Sequence, residues 1–314
     1  MAETQQKEMV CAPRAQLEWG FGGRRKIRDG ALLLALFIGG IGAGQFVVSA
    51  WLLSYPLGAV VGLLFVAVGK SAAHLAYLGR PSRFLRLFMR PKSSWVSRGL
   101  IAMMFLIVFG LAYLAPYLAP MVGIDWTAWS MTDAINGLFL GIAIIAAFIV
   151  MIYDGFVLNS CKSISSWHTM LLPVMFFVYS IAGGVAMSAL MTIFDPGGML
   201  NTEDMITQII RLDTFLLSAM CAMIVFYIMN LYSSDLTGRE SLRRLMMGRT
   251  AVFFIGLALV TGLLVPMILT AFHQVEGIGT VATYLLAASA ILELAGDLSV
   301  RHSILKTGLH APVM

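Results

Sequence analysis

Charge is what this sequence has least of. Asp, Glu, Lys and Arg together make up 12% of its 314 residues, against 59% hydrophobic residues. An ordinary soluble domain carries about a quarter charged residues, so a water-exposed globular surface is excluded. Cysteine is rarer still. Cys11, Cys161 and Cys221 lie far apart and form no CxxC pair, whereas iron–sulphur and zinc sites need three or four clustered ligands. A disulfide framework is equally absent. The five histidines, His74, His168, His273, His302 and His310, do not pair across apolar runs at a spacing that suggests b-type haem, so neither metal nor haem is expected in this chain. There is no P-loop, no HExxH, no nucleophile elbow and no GxGxxG opening a helix after a strand. The first thirty residues are polar and basic, with no early apolar core, so no cleavable signal peptide is expected and the first span serves as the insertion signal.

Long apolar runs fill the rest. A stretch of about 20 apolar residues crosses a hydrocarbon core of roughly 30 Å. Eight such runs are expected, at 31–53, 57–77, 99–120, 134–158, 168–193, 213–232, 250–271 and 279–300. They are continuously apolar, unlike the alternating strands of an outer-membrane barrel, and helices satisfy their own backbone groups in lipid. The expected fold is an all-α integral membrane protein with about eight transmembrane helices in a compact bundle. Short links imply one transmembrane domain, 31–302, between an N-terminal segment, 1–30, and a tail, 303–314. Glycines inside the runs, such as Gly39, Gly40, Gly42 and Gly44, permit close helix packing.

Basic residues set the orientation. Assigned to this topology, 19 of the 21 Lys and Arg fall in the N-terminal segment, the even-numbered loops and the tail; only Lys70 and Arg211 do not. The other loops carry Asp125, Asp133, Asp195, Glu203, Asp204 and Glu276. The positive-inside rule then puts both termini in the cytoplasm, in a cytoplasmic (inner) membrane. The net charge of +5 is no signature of a nucleic-acid partner.

The most basic stretch runs from His74 to Gly99. It holds Arg80, Arg83, Arg86, Arg90, Lys92 and Arg98 with no acidic residue, interleaved with Phe84, Leu85, Leu87, Phe88 and Trp95. It reads either as a membrane-surface platform that docks a partner beside a ligand pocket or as a retention loop of the usual positive-inside kind. Ionisable groups inside spans are costly and mark function. Lys70 and His74 lie one turn apart on span two, Tyr153 and Asp154 near the same end of span four, and Gln45 within span one. Each has a structural alternative: Lys70 snorkelling to the interface, Gln45 in an interhelical hydrogen bond, Asp154 marking a span end. Glu293, Asp297 and Arg301 follow at spacings of four on span eight and share a helix face. They are a candidate proton path or a salt-bridged packing face, and Asp213 beside Arg211 reads as an interfacial pair. With no metal ligands, a redox role would rest on a diffusible apolar carrier. A quinone needs an apolar cleft, hydrogen-bond donors to its carbonyls and a titratable group to pass protons. His74 and Tyr153, with Lys70 or Asp154 nearby, supply these types.

The sequence resembles the NrfD/PsrC-type membrane subunits, which include the polysulfide reductase anchor and are related to dimethyl-sulfoxide reductase anchors. The resemblance rests on Leu78-Gly79-Arg80-Pro81 with Arg83-Phe84, then Ser93-Ser94-Trp95 and Ser97-Arg98-Gly99. It continues through Tyr153-x-Gly155-x-x-Leu158, Lys162, Trp167 and Leu171-Leu172-Pro173 to Gly296 and Arg301. Ser165-Ser166 departs from it, since the family often has a proline before the tryptophan. The resemblance implies an anchor that binds menaquinone or ubiquinone, without haem, beneath an iron–sulphur electron-transfer subunit and a molybdopterin (Mo or W) catalytic subunit. Many relatives carry those subunits on the outer face; here the charge distribution places them on the cytoplasmic one. A secondary transporter or ion-translocating protein is the alternative. It favours two related halves with matching broken helices, and no internal repeat is visible. A purely structural anchor is a third reading.

Overall fold

Apolar segments in lipid must close their backbone hydrogen bonds internally, and here they do so as helices. The computed structural model describes residues 23–78, 86–194, 198, 200, 202–276 and 280–310. Helix α1 (Gly23–Val47) continues through a π-helical turn, Val48–Leu52. Helix α2 is built from Pro56–Leu64, a π-helical stretch Phe65–Lys70, and Ser71–Leu78. Then come α3 (Trp95–Met121), α4 (Ala134–Asn159), α5 (Leu171–Met191), α6 (Glu203–Ser233) and the short α7 (Leu236–Met247). Helix α8 joins a π-helical Val252–Leu264 to Val265–Glu276, and α9 is Thr280–Thr307. Among the described residues, seven helices are long and apolar enough to cross a membrane. The eighth long one, α9, has 28 residues but carries Glu293, Asp297 and Arg301 within its apolar sequence. Among the described residues, the one β feature is an isolated bridge between Ile164 and His310.

The start of α6 is the largest departure from expectation. The helix begins at Glu203, ten residues before the expected span, because charge there stabilises helix instead of ending it. Thr202 caps it by accepting from the Met205 N–H at 3.4 Å, and Glu203 and Asp204 occupy the first turn. Acidic residues at that end complement the helix dipole. Helix α9 likewise runs past the expected boundary at 302, to Thr307. Helix α7 was expected only as a basic loop. It starts at Asp235, whose carboxylate accepts from the Gly238 N–H at 2.9 Å and from the hydroxyls of Ser165 and Thr237 at 2.8 Å each. Burial pushes this carboxyl up, but those hydrogen bonds outweigh it and hold it below the usual aspartate range.

The buried side chains form two cores. One joins α1, α2, α3 and α4 around Phe46, Leu63, Leu106, Leu114 and Val150. The other joins α5, α6, α8 and α9, with α7, around Leu172, Ile209, Leu217, Phe254 and Ile304. Helix α1 belongs to both: Leu36 and Val48 face the second core, Phe46 and Val47 the first. Such close access needs small residues. Gly44 of α1 lies against the backbone of Ser180 and Gly184 on α5, Gly155 of α4 against Pro173, and Gly262 of α8 against Gly296 of α9. A side chain at any of these would meet backbone, which cannot yield.

Two tests follow from this packing. Gly184→Leu is expected to cost about 3 kcal/mol or more and to abolish a monodisperse peak on size-exclusion chromatography. Gly141→Leu, where nothing lies within 4 Å of an added Cβ, leaves it unchanged. Asp235→Asn lowers the thermal unfolding midpoint at neutral pH, because the amide keeps the cap but puts an NH2 where Oδ2 accepts from the Ser165 and Thr237 hydroxyls. Because the folded carboxyl lies below its unfolded value, that difference is full above pH about 4 and closes as pH falls further.

Candidate functional site

The site is built from one helix that lacks side chains where others need room. Gly39 and Gly40 of α1 are each overlain by a cation from another helix: Lys70 of α2 rests on Gly39, and the Arg301 guanidinium of α9 on Gly40. Each cation donates to the α1 carbonyl one turn earlier, Lys70 Nζ to Ala35 O at 3.2 Å and Arg301 Nη1 to Leu36 O at 3.1 Å. Lys70 also pairs with Asp154 of α4 at 2.8 Å, with side-chain exposures of 0% and 3%. The reading of Lys70 as a snorkelling side chain is thereby corrected. A buried ammonium with a carboxylate and a carbonyl in reach has no reason to seek the interface.

His74 and Tyr153 sit beside this pair. His74 Nδ1 lies 3.0 Å from Lys70 O, and its Nε2 lies 3.4 Å from the Tyr153 hydroxyl. A carbonyl only accepts, so the first contact fixes the proton on Nδ1 and leaves Nε2 as the acceptor facing Tyr153. The Tyr153 ring has Lys70 Nζ 4.8 Å from its centroid and packs against Gly99 of α3. A narrow crevice opens here, lined by Ser71, His74, Leu87, Val96, Leu100, Met103 and Tyr153. Its walls are apolar apart from one imidazole and two hydroxyls. The structure thus brings together four of the five intramembrane residues singled out in the sequence. Gln45 is not among them. It is fully buried between α1 and α5, donating to Ser49 Oγ at 2.9 Å and to Met191 Sδ at 3.4 Å and accepting from Ser188 Oγ at 3.1 Å. That is the interhelical hydrogen bond offered as its alternative.

At the mouth of the crevice the basic stretch divides by role. Arg80 and Arg83 lie outside the described residues. Arg86, Arg90 and Lys92 are exposed. Arg98 is engaged within the chain: it donates to Pro91 O at 2.9 Å and Lys92 O at 2.8 Å, and lies 4.4 Å from the Trp95 ring. Trp95 stacks on Phe156 of α4 at 4.1 Å. The Arg98–Trp95–Phe156 stack therefore fixes the loop, and Arg86, Arg90 and Lys92 stand exposed on it.

A second polar cluster lies on the other side of α1. Arg301 pairs with Asp297 at 2.7 Å, sits 4.7 Å over Phe176 and is 1% exposed. This is the salt-bridged packing pair offered as one reading of that helix face, while the count of Arg301 with the tail charges is corrected, since it is buried. Asp213 is buried in α6 close to the Glu293 carboxyl of α9, whose two oxygens have no hydrogen-bond partner among the described residues; the expected interfacial pairing of Asp213 with Arg211 is not what the structure shows. Tyr179, whose hydroxyl has no hydrogen-bond partner among the described residues, stands among these groups. Sequence reasoning missed Tyr179, placed Asp213 at the interface and took Gly39 and Gly40 only as packing residues. The signal for the glycines was there: Gly39-Gly40 follows Ala35-Leu36 by one turn.

Removing one member of a buried ion pair strands the other. Lys70→Met and Asp154→Asn are each expected to destabilise the protein by about 3–5 kcal/mol, read as thermal midpoint in detergent. Lys70→Met combined with Asp154→Leu recovers most of the loss.

No curated protein matches the chain. A family model described as "Polysulphide reductase, NrfD" matches residues 29–312, nearly the whole of it. That match takes in every described helix from the body of α1 to the end of α9. The apolar bundle, the polar groups around Gly39 and the family match agree, and the chain belongs to the NrfD family of polysulphide reductase-type membrane subunits.

Proposed function

We propose that this chain is the quinone-binding membrane subunit of a molybdopterin/iron–sulphur oxidoreductase, passing electrons between an iron–sulphur partner and membrane quinone. The observation that carries the reading is the His74–Tyr153 pair in the wall of an apolar crevice beneath an exposed basic loop. The chemistry of the lining suits such a ligand, and the crevice, which encloses about 20 Å³ here, would have to widen to admit a quinone ring. Leu87, Val96, Leu100 and Met103 offer apolar surface for a ring and tail, and Tyr153 offers an O–H to a carbonyl oxygen. Bound menaquinone or ubiquinone would supply two-electron, two-proton chemistry. The protein's part is to hold and move protons. Turned from His74 Nε2 to a ligand carbonyl, the one Tyr153 O–H would leave Nε2 free to accept a proton from a quinol hydroxyl and, as imidazolium, to pass it on. Lys70 O holds the Nδ1 proton and orients the ring. Behind them Asp154, neutralised by Lys70, is the nearest carboxylate that could take up a proton as charge changes in the crevice.

Arg86, Arg90 and Lys92 suit an acidic surface on the cluster-bearing partner, and by the positive-inside rule that partner and both termini are cytoplasmic. The alternative, ion translocation, is favoured by the buried carboxyls Asp213, Glu293 and Asp297, since titratable groups inside a bundle are candidates for an ion or proton route. The two readings are compatible in one protein but separable by experiment. Tyr153→Phe and His74→Ala are expected to lower quinol-dependent turnover of the assembled complex by about 100-fold or more, with iron–sulphur and molybdopterin subunits still co-purifying. Undiminished turnover in both variants would remove the site assignment. Absence of those subunits from the native complex would remove the electron-transfer reading and leave ion translocation.

A further inference from the structure

The corner between α6 and α7 carries a second site, far in sequence from the crevice and independent of the quinone reading. On the last two turns of α6, Phe226, Met229, Asn230 and Ser233 recur at helical spacing and so share a face. With Tyr232 and with Leu242 of α7 they line an open groove. Phe226, Met229 and Tyr232 are 54%, 60% and 71% exposed. This face continues the outer surface of a membrane-spanning helix, so hydrocarbon is its natural neighbour.

The groove is edged by cationic charge. Helix α7 and the turn after it carry Arg239, Arg243, Arg244 and Arg249, against Asp235 and Glu240. Glu240 is occupied by Arg243, at 2.7 and 2.9 Å, and by Arg244, at 3.2 Å. Asp235 is occupied as the α7 cap. Arg239 is held differently. Its Nε donates to Tyr232 O at 3.1 Å and its guanidinium sits 6.0 Å from the Tyr232 ring centroid, which anchors it at the groove's edge. That anchoring uses one N–H and leaves the two terminal nitrogens, the fork that matches a phosphate oxygen pair. Arg239 and Arg249 have no acidic partner among the described residues.

We propose that this corner binds an anionic phospholipid, with its headgroup phosphate on Arg239 and its acyl chains along Phe226, Met229 and Tyr232. Charge complementarity selects the anion, and the apolar groove beside it selects a lipid over free phosphate. Basic residues just outside a spanning helix are the usual recognition element for acidic headgroups. Bound lipid would brace α7 against α6 at the same corner that Asp235 ties to the Ser165 loop.

The test uses the full-length protein in detergent, titrated with dioleoyl-phosphatidylglycerol or dioleoyl-phosphatidylcholine, with bound lipid counted by mass spectrometry of the intact protein. Phosphatidylglycerol is expected to be retained in preference to phosphatidylcholine. Arg239→Gln should weaken phosphatidylglycerol binding roughly five- to tenfold, and Arg239→Lys should keep most of it. Met229→Glu, an exposed change in the groove that leaves Arg239 in place, should also weaken it. Equal retention of the two lipids, or an undiminished preference in Arg239→Gln, overturns the proposal. So does full displacement of the lipid by millimolar inorganic phosphate together with insensitivity to Met229→Glu, which would show a bare phosphate site. None of these outcomes touches His74 or Tyr153, so failure here leaves the quinone reading standing.

Discussion

A lysine and an arginine buried in an apolar bundle must both find acceptors, and in this protein they find them on the same helix. Ala35 and Leu36 offer adjacent carbonyls, and Gly39 and Gly40, one turn on, leave the space through which Lys70 and Arg301 reach them. A cation at membrane depth is costly by several kcal/mol unless paired and hydrogen-bonded. Each has therefore acquired a carboxylate as well, Asp154 for Lys70 and Asp297 for Arg301. Because consecutive residues lie about 100° apart around a helix of 3.6 residues per turn, the two carbonyls are reached from different sides of α1. The same short segment thus anchors one polar group toward α2 and α4 and another toward α9 and α5.

This placement orders the rest of the bundle. Lys70 O is the atom that orients His74, so the ring facing Tyr153 is set by a residue whose own side chain is locked to α1 and α4. Tyr153 is in turn seated on Gly99, just inside the stack of Arg98, Trp95 and Phe156 that fixes the basic loop. A chain of contacts therefore runs from the α1 carbonyls through the crevice to the surface that the proposed partner would cover. For a protein proposed to bring a diffusible carrier close to a partner's clusters, this is a useful economy: the same few side chains shape the crevice and brace its roof.

Much of this could be read from residues alone, and the failures share a physical cause. Helices over 56–78, 95–121 and 134–159 lay within a few residues of expectation, because uninterrupted apolar length is a sufficient signal in lipid. Lys70, His74, Tyr153 and Asp154 stood out because ionisable side chains in such runs are rare, and the structure places them together. Where reading went astray, charge was taken as a mark of the membrane surface. Glu203 and Asp204 are first-turn residues of α6, and Asp213 and Arg301 are buried inside the bundle. A charged residue's partner can lie more than two hundred residues away, as Leu36 does from Arg301, and sequence spacing along one helix cannot show it. Gln45 failed for the converse reason: its polarity suggested a ligand contact, while Ser49, Ser188 and Met191 already satisfied it.

The distance between Leu36 and Arg301 also has a bearing on how the molecule is made. The two are 265 residues apart, an interval that a ribosome working at about 5–20 residues per second takes roughly 13–53 s to translate. Throughout that interval the first helix is in the bilayer with the notch at Gly40 open and the carbonyl beneath it lacking its guanidinium. The final helix, which carries Glu293, Asp297 and Arg301, then meets in Leu36 O an acceptor already in place for its guanidinium.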